Sequence, residues 1–132
     1  MHIFLGGTFD GLHKGHEAVL AAAFTQGEQV TIGLTSDQFV QRRKVGQHIS
    51  SFADRQAALT RWLSEKGWLA RATIVTLEDA YEPAASAAYD ALIVTEQNRV
   101  VGEEINERRK SKGLPLITLI SVSLVDAADG VP

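Results

Sequence analysis

The sequence predicts an α/β fold in which a doubly wound, five-stranded parallel sheet carries helices on both faces. Five apolar, β-type runs alternate with helix-forming segments along the chain. The runs 30–34 and 92–94 are continuously apolar, which is typical of strands that are covered on both faces. Since helices separate most consecutive strands, we expect the strands to pair in parallel through right-handed crossovers.

The first half of the chain is predicted to form strand 2–6, helix 14–26, strand 29–34 and helix 36–43. The first strand is an apolar run that stops at two glycines, and the first helix contains the helix-forming run 17–24. Gly27 follows this helix and is expected to end it.

The second half is predicted to form helix 52–66, strands 72–77 and 91–95, helix 97–112 and strand 115–124. Helix 52–66 has the clearest amphipathic face, because its apolar residues recur every three to four positions. Ser51 precedes it as an N-cap, and Gly67 and Gly113 are expected to end the two helices. The basic residues 108–110 and 112 are expected to form a solvated face that complements the negative end of the helix dipole.

Length and composition limit the class of protein. The 132 residues fit one domain, 1–132, that is long enough to bury a core, and 45% hydrophobic with 22% charged residues is an ordinary globular composition. A net charge of −3 argues against general binding to nucleic acid or to an anionic membrane. The sequence lacks cysteine, a signal-peptide pattern and an apolar run of about 20 residues, which predicts a cytoplasmic protein. It leaves a homo-oligomer open.

The most informative stretch is 6–16, where a glycine turn joins the first strand to the first helix. Free N–H groups and the positive end of the helix dipole form an anion site there. Gly6 and Gly7 let the backbone approach a phosphate closely, and His13 and His16 share one face of the first helical turn. The pattern favours a polyphosphate with imidazoles beside its bridging oxygens.

Two other interpretations of these histidines stay open. A histidine near a helix start is commonly a cap or a surface residue. Two histidines three residues apart also suit a metal ion, but the chain has no cysteine and nothing marks an acidic third ligand. We therefore predict no metal ion held by protein ligands.

Polar residues follow two other predicted strands, at 35–37 and 95–98. In a doubly wound sheet, ligands bind beyond the carboxyl ends of the strands, where the strand order reverses. We therefore expect these residues to converge with the glycine turn on one crevice. The basic loop 42–47 is the candidate for a flexible segment.

The segment 8–16 resembles the Thr/Ser-x-x-x-x-His-x-Gly-His signature of a nucleotidyltransferase superfamily. Further segments are similar to the archaeal and eukaryotic type of phosphopantetheine adenylyltransferase, namely 31–37, 77–84, 91–96, 104–109 and 124–130. The resemblance implies a Rossmann-like fold. It also implies adenylyl transfer from ATP to 4′-phosphopantetheine, giving dephospho-coenzyme A and pyrophosphate in coenzyme A biosynthesis. Mg²⁺ is implied with the triphosphate, held mainly by phosphate oxygens and water.

The resemblance implies roles for residues of the nucleotide site. His16 contacts the α-phosphate and stabilises the transition state, and His13 lies nearer the other phosphates or the ribose. Thr8 binds phosphate and helps to place the acceptor. Three residues allow close approach of the nucleotide: Gly7, Phe9 and Gly15. Glu96, after the fourth strand, accepts from ribose hydroxyls or, alternatively, caps the next helix.

The acceptor phosphate is implied to meet Lys44, the third catalytic candidate, in the loop after the second strand. Arg42 and Arg43 compete for this role, and a solvated charge run is the alternative. Asp10 is grouped with the acceptor-binding residues, although Asp10 and Asp37 also fit as caps or turn residues.

One family feature is absent from the printed sequence. In the family, the Asp-Gly-x-Pro segment seen at 129–132 leads into Ser-Ser-Thr-x-Ile-Arg, a loop that caps the nucleotide phosphates. The domain 1–132 is therefore expected to lack this loop and the helix that it opens. Two other functions stay open. One is a related nucleotidyltransferase that uses nicotinamide mononucleotide, FMN or an alcohol phosphate, and the other is a nucleotide-binding domain without turnover.

Overall fold

The computed structural model describes residues 1–43 and 48–123. Within these ranges the strands are β1 His2–Gly7, β2 Gln29–Thr35, β3 Ala72–Leu77, β4 Ala91–Val94 and β5 Thr118–Ser121. The helices are α1 Lys14–Gln26, α2 Asp37–Arg43, α3 Phe52–Lys66 and α4 Arg99–Ser111, and a short 3-10 turn, Leu69–Arg71, precedes β3. Helices and strands follow one another in the predicted order. No helix in the described ranges is both long and apolar enough to cross a bilayer.

All five strands form one parallel sheet in the order β3-β2-β1-β4-β5. The chain moves outward from β1 through β2 to β3, and then returns to add β4 and β5 on the other side of β1. The strand order therefore reverses between β1 and β4, which is where a doubly wound sheet binds its ligands. The predicted Rossmann-like α/β fold is confirmed.

Side chains alternate along β1 and reach a separate core on each face of the sheet. Ile3 and Leu5 belong to the core that α1 and α3 cover. Phe4 belongs to the opposite core, which includes Ile105 of α4. Helices therefore cover both faces, as predicted, and the central strand is buried between them.

β5 is shorter than predicted, because the neighbouring strand, β4, has only four residues with which it can pair. Its four residues pair with the four residues of β4. Just before β5, the backbone of Ile117 pairs with the Asn106 side chain of α4 and not with a neighbouring strand. The Asn106 amide donates to Ile117 O at 2.9 Å, and its oxygen accepts from Ile117 N at 2.8 Å. The predicted strand end, residue 124, lies outside the described residues.

α4 begins at Arg99 rather than at position 97, because Asn98 closes a turn after β4. The Asn98 side-chain oxygen accepts from Thr95 N at 2.6 Å, and Asn98 N donates to Thr95 O at 3.2 Å. These two bonds hold 95–98 as a turn at the carboxyl end of β4, where a helical turn was predicted to start.

Candidate active site

A cleft of about 710 Å³ opens at the strand-order reversal. Its lining includes residues 6–10 at the end of β1 and in the turn that follows, Thr35 at the end of β2, and Thr95, Gln97 and Asn98 after β4. His13 and His16 line it as well. Each of the three polar segments predicted to converge therefore contributes to a single crevice.

His13 caps α1, and this contact sets how its ring meets the cleft. Nδ1 of His13 accepts a hydrogen bond from Gly15 N at 3.1 Å. Because Nδ1 is the acceptor, the proton of a neutral His13 lies on Nε2, which can then donate to a ligand. The His13 and His16 rings stack with centroids 3.8 Å apart. The cap interpretation of His13 is thus correct, and it leaves Nε2 available as a donor.

Phe9 supports the His16 ring from a second direction. The Phe9 backbone has a φ of 49°, in the left-handed region that a bulky side chain seldom adopts. Its ring is buried and meets the His16 ring edge-on, with centroids 5.4 Å apart. A Cβ on Gly7 would lie 3.0 Å from the same ring, so a side chain at position 7 would require the ring to shift. The predicted contact of Gly7 and Phe9 with a nucleotide stays a prediction.

A buried arginine, which the sequence patterns did not single out, ties the turns of the cleft together. Arg55 of α3 is 1% exposed. Its Nη1 donates to Thr8 O at 3.1 Å and to Thr35 Oγ1 at 3.2 Å, and its Nε donates to Ser50 O at 2.8 Å. Nη2 forms an ion pair with Asp37 at 3.2 Å. One cation thereby joins the turns after β1 and β2 to the start of α3.

Helical spacing was the signal that could have found Arg55. It lies four residues before Leu59 and seven before Trp62, on the face of α3 that enters the core. A charge on such a face must be paired and hydrogen-bonded, because an isolated buried charge is costly. The sequence does not reveal the partners, which come from segments up to 47 residues away.

The two aspartates near the cleft have backbone partners. Asp10 Oδ1 accepts from Ser50 N at 3.2 Å, and Asp37 Oδ1 accepts from Phe52 N at 2.8 Å. The interpretation of Asp37 as a structural residue is confirmed. Asp10 also lines the cleft, and its contact with the acceptor stays a prediction.

The cleft continues into an apolar flank on the α4 side of the sheet. This flank is lined by Phe4 of β1, Leu77 of β3, Ala80 of the following loop, and Val101 and Ile105 of α4. It adjoins the glycine turn, because Phe4 and Gly6 lie on the same strand. One cleft therefore has a polar end at the glycine turn and an apolar end.

The loop after β3 forms a wall of this flank and is attached to α4. The Asp79 carboxylate accepts from Glu82 N at 2.9 Å and from Tyr81 N at 2.7 Å, and these N–H groups lower the pKa of Asp79. The Tyr81 hydroxyl donates to Glu104 at 2.6 Å, which raises the pKa of Tyr81. The Arg108 guanidinium lies 3.7 Å from the centre of the Tyr81 ring.

The prediction of a solvated basic face at the end of α4 is wrong for Arg109. Arg109 is 3% exposed and donates to Ala84 O at 3.0 Å, Ala87 O at 2.6 Å and Pro115 O at 2.7 Å. These carbonyls lie outside the sheet, and a buried backbone oxygen needs a donor. A guanidinium carries five N–H donors in a fixed fork, so a single arginine side chain satisfies several of these carbonyls at once.

Comparison with known proteins identifies the family. The cytidylyltransferase-like family matches residues 4–117. The phosphopantetheine adenylyltransferase of Methanopyrus kandleri is 37% identical, over 97% of this chain and 82% of that protein. The phosphopantetheine adenylyltransferase of Methanothermobacter thermautotrophicus is 35% identical, over 98% of this chain and 77% of that protein. The chain belongs to the cytidylyltransferase-like family, in its phosphopantetheine adenylyltransferase group.

A solved structure agrees with this membership. A crystal structure from Archaeoglobus fulgidus, described as a protein with unknown function, superposes with a TM-score of 0.87 at 28% identity. It covers 99% of this chain, and this chain covers 96% of it. The family match 4–117 includes the glycine turn, both histidines and α4.

Two predicted site residues of this family member, Glu96 and Gly15, do not line the described cleft, and a third, Lys44, lies outside the described residues. Glu96 is exposed and is not among the lining residues, which include its neighbours Thr95 and Gln97. Gly15 is buried in the first turn of α1, where its N–H serves the His13 cap. Their predicted ligand contacts stay predictions.

Arg43, one of the two predicted competitors of Lys44, does line the cleft. Its guanidinium lies 5.4 Å from the centre of the Phe39 ring. Arg42 instead donates to Glu78 O at 2.9 Å, on the loop after β3. Arg43 is therefore the cation at the end of α2 that reaches the cleft within the described part of the chain.

Proposed function

We propose that this protein transfers the adenylyl group of ATP to 4′-phosphopantetheine, giving dephospho-coenzyme A and pyrophosphate, as a step of coenzyme A biosynthesis. The observation that carries the proposal is the cleft at the strand-order reversal. There, the stacked His13 and His16 rings meet a glycine turn beside an apolar flank. The names of the two relatives that align over 97% and 98% of the chain favour this acceptor over others.

The reaction requires alignment more than acid–base chemistry. A phosphate oxygen of the acceptor forms a bond to the α-phosphorus of ATP. The bond from that phosphorus to the oxygen that bridges the α- and β-phosphates breaks. Pyrophosphate leaves with the bonding electrons. The acceptor phosphate is an anion at neutral pH, so no strong general base is needed. The site must hold two anions in line and stabilise the charge that develops on the leaving group.

The start of α1 supplies the groups for the nucleotide. Backbone N–H groups and the helix dipole attract the phosphates. His13 donates from Nε2 to a phosphate or ribose oxygen, and His16, three residues further on, meets the α-phosphate. Stacking and the contact with Phe9 hold the His16 ring in place before ATP binds, which is the preorganisation that transition-state stabilisation needs.

The apolar flank suits the acceptor. 4′-Phosphopantetheine is a phosphate on a long, flexible arm, so its site needs a cation at one end and an extended, largely apolar wall. Leu77, Ala80, Val101 and Ile105 line such a wall, and Arg43 lies at the cleft as the cation. Lys44, the next residue, is proposed as the second cation for the acceptor phosphate.

Mg²⁺ belongs to the proposal as the companion of the triphosphate, whose charge it would partly neutralise. Among residues 1–43 and 48–123, no group of three or more His, Asp or Glu is placed to hold a metal ion. This donor set fits an ion that phosphate oxygens and water carry into the site. A cytoplasmic location remains a prediction, and a homo-oligomer remains open.

A panel of acceptors tests the proposal. The purified protein is incubated with ATP, Mg²⁺ and 4′-phosphopantetheine, nicotinamide mononucleotide, FMN or glycerol 3-phosphate, and pyrophosphate release is measured. We expect release with 4′-phosphopantetheine, because its arm matches the apolar flank. Equal or faster release with nicotinamide mononucleotide or FMN would assign another acceptor. ATP binding without pyrophosphate release in the presence of any of these acceptors would indicate a nucleotide-binding domain without turnover.

A pair of adjacent substitutions provides the control. Val101→Glu places a charge on the apolar flank and should raise the KM for 4′-phosphopantetheine while leaving ATP binding in place. Val100→Glu makes the same change one residue earlier, where the side chain is 63% exposed, and should change neither. Equal effects of the two substitutions would contradict the placement of the acceptor arm.

A further inference from the structure

We propose that Thr35 and Arg55 are positioning residues that hold the Thr8 hydroxyl as a hydrogen-bond donor towards a phosphate oxygen in the cleft. This inference rests on the proposed function, because it requires a phosphate ligand at the glycine turn. It assigns neither Thr35 nor Arg55 a contact with substrate. Their effect on the ligand passes through Thr8.

The direction of the hydrogen bonds follows from the chemistry of the guanidinium group, which has N–H donors and no acceptor. The two protons of Arg55 Nη1 are shared between Thr8 O, at 3.1 Å, and Thr35 Oγ1, at 3.2 Å. Thr35 Oγ1 therefore accepts from Arg55. Its own proton is then directed to Thr8 Oγ1, which lies 3.1 Å away.

The Thr8 oxygen is thus an acceptor towards Thr35, and its own proton remains for another partner. Thr8 lines the cleft beside Gly7 and Phe9, so a ligand oxygen bound in the cleft can accept this proton. A hydroxyl that donates to a phosphate forms a charge-assisted bond, which is stronger than a bond between neutral groups. Hydrogen bonds in a chain also polarise one another, so the Arg55 charge strengthens Thr8 as a donor.

Burial keeps the chain of bonds in this arrangement. Arg55 is 1% exposed and Thr35 is 4% exposed, so water does not offer competing partners. Arg55 is itself fixed by Ser50 O at 2.8 Å and by Asp37 Oδ1 at 3.2 Å. The bond that the Thr8 oxygen accepts is therefore in place before any ligand arrives, which leaves its proton to be donated into the cleft.

A double-mutant cycle tests the inference. Thr35→Val removes the hydroxyl with little change of shape, and Thr35→Ser keeps the hydroxyl as the matched control. ATP with Mg²⁺, and separately 4′-phosphopantetheine, are titrated by calorimetry into the wild type, these variants, Thr8→Val and the Thr8→Val/Thr35→Val double variant. The ligand whose affinity falls in Thr8→Val is the one whose phosphate Thr8 contacts.

We expect Thr8→Val to lower the affinity for that ligand by about tenfold or more. Thr35→Val should lower the affinity for the same ligand by about three- to tenfold. Thr35→Ser should restore binding to near the wild-type affinity. In the Thr8→Val background, Thr35→Val should cause almost no further loss, because its effect passes through the missing hydroxyl. Thr35→Ala repeats the cycle if thermal unfolding shows that Thr35→Val is not folded.

Three results would overturn the inference. The first is the same loss from Thr35→Val in both backgrounds, since Thr35 would then act on the ligand or on the fold by itself. The second is wild-type affinity in Thr35→Val. The third is normal binding of both ligands by Thr8→Val. Failure of the proposed function is seen separately, as no pyrophosphate release with 4′-phosphopantetheine while the cycle for ATP still holds. A wild-type protein that binds neither ligand would overturn both.

Discussion

His16 is held between two aromatic neighbours at the start of α1. The His13 ring stacks on it at 3.8 Å, and the Phe9 ring meets it edge-on at 5.4 Å. Phe9 reaches this position through a backbone conformation that bulky residues seldom adopt. The local strain at Phe9 thus accompanies a fixed orientation of the imidazole that is proposed to meet the α-phosphate.

Replacement of this imidazole should affect the rate more than binding. His16→Ala removes a group proposed to act on charge that develops in the transition state, so we expect kcat to fall by about a hundredfold or more. ATP affinity should change much less. His2→Gln is the control, since His2 lies at the opposite end of β1 and glutamine can still bond to Thr31. Wild-type turnover by His16→Ala would mean that the start of α1 serves only as an anion cap.

Arg43, at the end of α2, and Lys44, the next residue in the sequence, should act on the acceptor. Arg43→Ala and Lys44→Ala should each raise the KM for 4′-phosphopantetheine and leave that for ATP nearly unchanged, because a charge on the acceptor phosphate contributes to binding of that substrate. Arg42→Ala is the matched control, as its guanidinium is bonded to Glu78 O. If the KM for ATP changes instead, these cations contact ATP, and the proposed positions of ATP and the acceptor in the cleft should be exchanged. No change at Lys44 would support a solvated charge run there.

At the scale of elements, α4 shapes the cleft together with the loop after β3. Arg109 binds two carbonyls of that loop and Pro115 O, and Tyr81 of the loop binds Glu104. The loop is therefore fixed to the helix by side chains rather than by a strand ladder. The apolar flank keeps its shape because both of its walls are attached to each other.

The loop should loosen in acid. The pKa of Asp79 is lowered from 3.8 in the folded protein, because Glu82 N–H and Tyr81 N–H donate to the carboxylate. Its contribution to stability is therefore present above about pH 4 and is lost as the pH falls through the lowered folded value. Unfolding midpoints of the wild type and Asp79→Asn, measured from pH 7 to pH 2, should differ at neutral pH and converge in acid. A constant difference across this range would contradict the role of the charge.

At the scale of the whole molecule, the cleft lies where the two halves of the sheet meet. β1 is the central strand, and the lining includes the ends of β2 on one side and of β4 on the other. A nucleotide in the cleft would contact both halves at once. Its binding should therefore stabilise the domain as a unit rather than one segment of it.

Ligand binding should raise the unfolding temperature of the whole domain. At a free concentration of about 100 times Kd, ATP with Mg²⁺ should add about 2.7 kcal/mol, a rise of roughly 10 °C for a chain of this size. Adenosine at the same concentration is the control and should shift Tm much less, because it lacks the phosphates that the glycine turn attracts. Equal shifts with adenosine would show that the turn does not bind the phosphates.

The sequence by itself determined the features that depend on local order. The alternation of apolar runs and helical segments predicted five parallel strands, since periodicity and length are properties of neighbouring residues. The glycine turn followed by His13 and His16 predicted a site at the start of α1, because helix ends always carry free N–H groups. The segments after β1, β2 and β4 were placed on one crevice by topology alone.

Only the tertiary structure decided which side chains act over long distances. Arg109 looks like a surface charge in sequence, and helical spacing places Arg55 on the core face of α3 without revealing its partners. The burial of both depends on acceptors that the fold brings to them. The hydrogen bond from Thr35 to Thr8 joins the end of β2 to the turn after β1, between residues 27 positions apart, and no local pattern predicts it. Glu96 and Gln97 are both exposed, and only Gln97 lines the cleft, on a turn that the Asn98 side chain closes. Hydrogen-bond partners are settled by where segments meet in space, which local periodicity does not encode.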